Sequence, residues 1–247
     1  MAETEYGIRK SQVCLPTRNL LVVPHRGKEL IVSHPVFAPN TFDGNVAEMQ
    51  RTYTHSQDIP QITFREPTTS QSISAVTYHF KKMAKPQIFD SRWLQTGRIV
   101  RTNDGVFANP SRDIDGEVTL DESKLKKSLE DMKKIKVGNG YIYLGNNDTG
   151  FAEYGTFQTR LQDSETFAQG GLARIIEHTE EQATSLKSIS SLSNYQGGVN
   201  VWGFELPQKP IKRILSLYSE RGFSGRLSVG GCFNGSGSDG GCAFGVR

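Results

Sequence analysis

Residues 228–242 read Ser-Val-Gly-Gly-Cys-Phe-Asn-Gly-Ser-Gly-Ser-Asp-Gly-Gly-Cys, and thirteen of the fifteen belong to the set Gly, Ser, Asn, Asp and Cys. Such a stretch has too little apolar surface to offset its conformational entropy, so by composition alone it reads as a solvated linker. Yet only Ala243, Phe244, Gly245, Val246 and Arg247 follow it, and these read as a closing strand rather than the start of another domain. The expectation is that the window belongs to the domain that precedes it.

That domain has an α+β pattern. Apolar runs at 20–23 and 30–32 flank Pro24-His25-Arg26-Gly27-Lys28 and predict a hairpin. Pro35, Pro39, Pro60 and Pro67, with the polar run Thr68-Thr69-Ser70-Gln71-Ser72, argue for extended connections rather than packed helices, so residues 1–80 read as an irregular N-terminal extension. From residue 81 the pattern is denser. Asn103-Asp104-Gly105 and Asp115-Gly116 are tight-turn signals, because glycine accepts positive φ without steric cost. Leu125, Leu129 and Met132 recur at helical spacing and predict a helix over 122–135 capped by Asp121. Gly138-Asn139-Gly140 and then Tyr141-Ile142-Tyr143-Leu144 read as a turn and a strand. Leu172, Ile175, Ile176, Ala183 and Leu186 predict one long helix over 172–189. Strand-like segments at 199–204, 211–218, 226–229 and 242–246 close the chain, and no repeat of twenty to fifty residues occurs.

At 247 residues the chain is long enough for a full hydrophobic core. A net charge of +3 with 22% charged residues supplies no basic footprint, which argues against nucleic acid or an anionic membrane as partner. No run approaches eighteen apolar residues, and Met1-Ala2-Glu3-Thr4-Glu5 lacks the basic start and apolar core of a signal peptide. The expectation is cytoplasmic synthesis, with display on a virion or cell surface left open. Three cysteines, Cys14, Cys232 and Cys242, are too few for a disulfide framework, and nearness in sequence says little about the narrow geometry that a Cys232–Cys242 bond needs.

The genetic code connects the residue types of the window. An asparagine codon ending in a pyrimidine, once its adenines are replaced, reaches Ser, Gly, Asp, Cys, Tyr, His and Arg but never Lys, Glu, Gln, Met or Trp. None of those excluded types occurs between Ser228 and Cys242, and eleven of the fifteen residues arise if the second adenine becomes guanine. This pattern resembles the variable regions of target proteins of diversity-generating retroelements, which carry a C-type-lectin-type fold ending in a short strand similar to Gly245-Val246-Arg247. Gly198-Val199-Asn200-Val201-Trp202-Gly203 is similar to the Gly-Asn-Val-Trp stretch of lectin-like domains related to formylglycine-generating enzyme, whose copper-binding cysteines occur in a different local sequence. Phe233 stands where many members of the variable-protein family have tryptophan.

The resemblance implies a C-type-lectin-like domain over residues 81–247, with the variable region at about 218–247. In it Ser228, Gly230, Gly231, Cys232, Asn234, Gly235, Ser236, Gly237, Ser238, Asp239, Gly240, Gly241 and Cys242 are the variable, ligand-contacting positions. Val229, Phe233, Phe244 and Trp202 are fixed scaffold. Tyr218, Arg221, Ser224 and Arg226 are candidates for the rim, since tyrosine and arginine dominate binding hot spots; the alternative is that they are ordinary strand residues. The implied function is non-enzymatic recognition of an unknown protein or surface ligand, in which fixed apolar residues hold the backbone while exposed positions change.

Other chemistry has less support. Gly235-Ser236-Gly237-Ser238-Asp239-Gly240 matches a dinucleotide fingerprint letter for letter, but too few residues follow for the required helix. Neither Glu-Pro-Asn nor Gln-Pro-Asp occurs, and Asn146-Asn147-Asp148 reads as a polar turn rather than a cation site, so no metal and no cofactor are expected. His25, His34, His55, His79 and His178 are scattered without metal-ligand spacing, and no nucleophile can be matched to a base from sequence alone. Trp93 and Trp202, flanked by apolar residues, read as core. Two rivals remain: an RNA- or phosphate-contacting glycine-rich loop over 230–241, which salt-sensitive RNA binding would reveal, and a structural virion or surface protein whose tail is a spacer open to proteolysis.

Overall fold

The apolar runs near the start form an antiparallel hairpin, β1 (Asn19–His25) and β2 (Lys28–His34), paired from Asn19↔His34 to His25↔Lys28 around Arg26 and Gly27. The computed structural model describes residues 18–34, 36–53, 61–82, 93–113, 115–192, 195, 198–219, 225–234 and 241–247. β3 (Phe37–Asn40), α1 (Phe42–Met49) and α2 (Thr69–Lys82) follow the hairpin. The two helices correct the expectation of an irregular extension. Thr41 caps α1 by accepting from the Gly44 N–H. Thr68 and Gln71 form a reciprocal capping box on α2, each side chain accepting from the other's backbone N–H at 3.1 and 3.2 Å. The polar run that read as a loop is thus a helix start, and its side chains tie α2 to its neighbours. The Thr69 hydroxyl donates to Ile176 O, that of Ser70 to Glu177 O and that of Ser72 to Thr96 O. Val23, Val32, Ile73 and Val76 lie in the same buried cluster as Ile99, Leu172 and Val229, so the described part of the first eighty residues is built into the main core.

A second part of the chain supplies a long mixed sheet. β4 (Leu94–Arg101) and β5 (Gly105–Ala108) form the hairpin predicted at Asn103-Asp104-Gly105. α3 (Glu122–Ser128) is capped by Asp121, whose carboxylate accepts from the N–H groups of Ser123 and Lys124. It ends seven residues before the predicted limit of 135, because Ile135 and Val137 enter β6 (Lys133–Val137) against β7 (Gly140–Leu144). β8 (Gly150–Glu153), β9 (Arg160–Gln162) and α4 (Ser164–Gln169) come next. The single helix expected over 172–189 is two, α5 (Gly171–Glu177) and α6 (Thr184–Ser190). His178 adopts the left-handed conformation that ends α5, and the Glu177 carboxylate turns back to accept from Ser185 N and Leu186 N at the start of α6.

The final strands are β10 (Val199–Trp202), β11 (Ile211–Ser219), β12 (Leu227–Phe233) and β13 (Gly241–Ala243). The strand order is β6-β7-β8-β5-β4-β11-β12-β10-β9, with β13 joining β3 to the start of β4. Pairing is antiparallel except between β10 and β12 and between β13 and β4, so the domain is α+β with a mainly antiparallel sheet. One sheet face and α2, α4, α5 and α6 enclose the main core; a second cluster of Phe37, Phe42, Met49, Tyr53, Ile62 and Phe64 packs with Ile214 and Ala243. No helix among the described residues is long and apolar enough to cross a membrane.

Candidate functional site

On β10 the alternation Val199, Asn200, Val201, Trp202 sends the two valines into the core and leaves the other two half-buried on the opposite face. The register carries this face across three further strands. Trp202 pairs with Gly230 and Asn200 with Ser228 on β12; Gly230 pairs with Ser216 and Ser228 with Tyr218 on β11; Ser216 pairs with Gln95 on β4. Trp93, next to β4, and Phe233, at the end of β12, complete an aromatic quartet of half-buried side chains. Trp93 is stacked on Tyr218 at 4.6 Å between ring centroids and lies 4.7 Å from Phe233 and 5.5 Å from Trp202. Trp202 meets Phe233 edge-on at 5.7 Å.

The small residues below the rings are there for space. A Cβ on Gly230 would stand 3.1 Å from Trp202 Cζ2, tighter than ordinary carbon contact. Behind the sheet, a Cβ on Gly231 would fall 2.6 Å from the Phe204 ring. Each of the four ring contacts is of the kind worth about 0.5–1.5 kcal/mol beyond buried area, so the quartet holds its own shape while its edges stay wet. Cys232 sits beside it, near Arg101, Arg213 and Glu205. Burial pushes its thiol up from the ordinary value, against the smaller pull of the two arginines, so the protonated form dominates at neutral pH. Burial, and then Arg101, push the Arg213 guanidinium down. The Arg101 guanidinium donates to Gly203 O and, at 3.3 Å, to Glu205 Oε2, which links the start of the 203–210 connection to β4.

The positions expected at the ligand surface divide. Asn234 is exposed and Cys232 half-buried. Ser228, Gly230, Gly231, Gly241 and Cys242 are buried, which corrects their expected display to solvent. Ser228 and Gly230 are floor beneath the aromatic rings, Gly231 backs onto Phe204, and a Cβ on Gly241 would come within 2.7 Å of Trp93 O. Gly235, Ser236, Gly237, Ser238, Asp239 and Gly240, with Arg221 and Ser224, lie outside the described residues. Of the other rim candidates, Tyr218 belongs to the quartet and Arg226 is half-buried just before β12. Of the scaffold residues, Val229 and Phe244 are fully buried, whereas Phe233 and Trp202 are half-buried, and so is Trp93, which corrects the reading of both tryptophans as core. The signal for Trp202 was present in the Val-Asn-Val-Trp alternation; nothing local marks Trp93, whose partners are more than a hundred residues away. Cys232 and Cys242 are thiols. Residues 146–148 form the turn between β7 and β8, and among the described residues no three His, Cys, Asp or Glu side chains are placed to share a metal ion.

No family model matches the chain, and no curated protein matches it. Among solved structures, the chain is similar to one that concerns accommodation of massive sequence variation in Nanoarchaeota by the C-type lectin fold. The identity is 15% over 85% of this chain and 95% of that one, with a TM-score of 0.49.

Proposed function

We propose that the chain is a recognition protein on a lectin-type scaffold, whose ligand rests on the aromatic quartet and on the side chains of Cys232 and Asn234, with Ser236, Ser238 and Asp239 added on the sequence pattern alone. The observation that carries this reading is the quartet itself: Trp202, Tyr218 and Phe233 from three strands and Trp93 from just before a fourth hold one another, half-buried, over a floor of Ser216, Ser228 and Gly230. Rigid aromatic side chains give large contact area at small entropic cost, and the polar segment that follows them adds adaptable hydrogen bonds. Three of the four rings lie outside the window 228–242. The surface then has a constant aromatic part and a changeable polar part, and the changeable part is smaller than the window, since the buried small residues tolerate little.

Adenine-directed mutagenesis by a retroelement is the origin we assign to the window. A second copy of the coding segment for about residues 218–247 is expected close to the gene, beside a reverse-transcriptase gene and differing from it at adenines. Sequencing the locus decides this: an intact locus without such a copy refutes the retroelement origin.

A further inference from the structure

His25 lies 49 residues from Ser74 and 123 from Asp148 along the chain, yet the fold brings the three side chains together, with Ser74 at the edge of a cleft. Ser74 lies in the second turn of α2, His25 ends β1, and Asp148 sits in the turn between β7 and β8. Ser74 Oγ is 2.9 Å from His25 Nδ1, and His25 Nε2 is 3.8 Å from Asp148 Oδ2. The carboxylate is held at both oxygens: the Thr68 hydroxyl donates to Oδ2 at 2.6 Å, and the Arg26 guanidinium pairs with Oδ1. Its backbone carbonyl accepts from Asn109 Nδ2 at 2.9 Å. Burial works against ionisation of Asp148, but the groups facing it, His25 and Thr68 and then Arg26 and His178, outweigh burial and keep its carboxyl well below the usual range.

Asp148 Oδ2, 3.8 Å from Nε2, is beyond hydrogen-bond distance and acts on the ring by its charge; in the tautomer with its proton on Nε2, Nδ1 accepts from the Ser74 hydroxyl. Those are the roles of orienter, base and nucleophile, here with the two ring nitrogens exchanged relative to the commoner arrangement. Ser74 also lines an open cleft of about 450 Å³, together with Arg26, Tyr78, Lys81, Glu177 and His178. None of the aromatic quartet lines this cleft.

We propose that Ser74, His25 and Asp148 form a nucleophilic acyl-transfer centre that takes small esters in this cleft. Ser74 Oγ bonds to the acyl carbon, its proton passes to His25 Nδ1, and the carbonyl electron pair moves to oxygen, in a cleft whose lining includes the cationic side chains of Arg26 and Lys81. Collapse of the tetrahedral species breaks the ester C–O bond, and the proton on Nδ1 leaves with the alkoxide. Water then repeats the two steps on the acyl-serine, giving a carboxylic acid and restoring the Ser74 hydroxyl, so the sum is ester plus water to acid plus alcohol.

The test uses the full chain and three probes. Diisopropyl fluorophosphate is expected to add one phosphoryl group per chain, mapped by peptide mass spectrometry to Ser74, and His25→Ala is expected to slow this labelling at least tenfold. Hydrolysis of p-nitrophenyl acetate is expected to fall at least tenfold in Ser74→Ala. Labelling of the wild-type chain does not depend on any variant folding, and Ser74→Cys adds a second readout, its alkylation by iodoacetamide slowing when His25 is also replaced by Gln. A wild-type chain that stays unlabelled at Ser74, or labelling that is indifferent to His25, overturns the proposal and leaves the three residues as a structural tie between β1 and α2. Neither result bears on the aromatic surface.

Discussion

Gly230 and Gly231 are adjacent, yet the two faces of the sheet treat them differently. Gly231 has the Phe204 ring behind it, and Gly231→Ala is expected to cost about 1–3 kcal/mol through overpacking, read as a lower urea midpoint with unchanged slope. Gly230→Ala presses on the Trp202 indole and the Ser216 hydroxyl at 3.1–3.3 Å, a looser fit than that at Gly231, and should cost less, while shifting the indole emission that reports on the quartet. A second prediction concerns His79, which is 4% exposed and stands 5.5 Å from both the His34 and the Phe244 rings. Burial, and then His34, push its imidazole down to about 4 from an ordinary 6.5. The unfolded chain therefore takes up a proton near pH 6.5 that the folded chain refuses until about pH 4. Stability from this group is complete above pH 6.5 and is lost as pH falls between those values, by at most about 1.4 kcal/mol per unit. Urea titrations at pH 7, 5.5 and 4.5 should show that decline, and His79→Gln should flatten it. At this scale the sequence was legible where a single residue type has one use, as with the Asp121 cap. It was illegible for Ser228, Gly230 and Gly231, because a small residue in a solvated loop and a small residue under an indole ring are the same letter.

Among the elements, boundaries depend on competing partners. Glu177 shows how: it follows a helical pattern, and its carboxylate caps the next helix instead of extending its own. Glu177→Ala should destabilise the domain by about 0.5–2 kcal/mol, and hydrogen exchange should place the loss at the N–H groups of Ser185 and Leu186. Thr68 and Gln71 are the corresponding pair on α2, and their spacing is the Thr-x-x-Gln signature of a helix start. The surrounding prolines and hydroxyl residues hid it, since Thr69, Ser70 and Ser72 are buried by bonding to carbonyls of distant segments that local reading does not see. The hairpins at Arg26-Gly27 and Asp104-Gly105 and the turn at Gly138-Asn139 were plain in the sequence because a turn is chosen by its own few residues; the strand before Gly138 was not, since Ile135 also fitted the helical spacing of Leu125, Leu129 and Met132.

At the scale of the whole molecule, residues 245–247 tie β2 to Arg65. Gly245 and Ser33 exchange hydrogen bonds, Arg65 and Val246 exchange two more, and Arg247 N donates to Ile31 O, while Phe244 and Val246 are fully buried. Removing residues 244–247 is expected to abolish cooperative unfolding, and Phe244→Ala alone to cost about 3–5 kcal/mol, both readable by chemical denaturation followed by circular dichroism. Sequence pattern alone carried the α+β class, the hairpins at Arg26-Gly27 and Asp104-Gly105 and the strands β10, β11 and β12, because periodicity and turn chemistry act over a few residues; the strand expected over 242–246 is the shorter β13, with Phe244 and Val246 buried beyond it. Only the tertiary structure decided which parts of the 228–242 window face solvent, that Trp93, Trp202, Tyr218 and Phe233 share one surface, and that Ser74, His25 and Asp148 meet. Those depend on strand register and on contacts between residues tens to more than a hundred positions apart, and no local pattern encodes them.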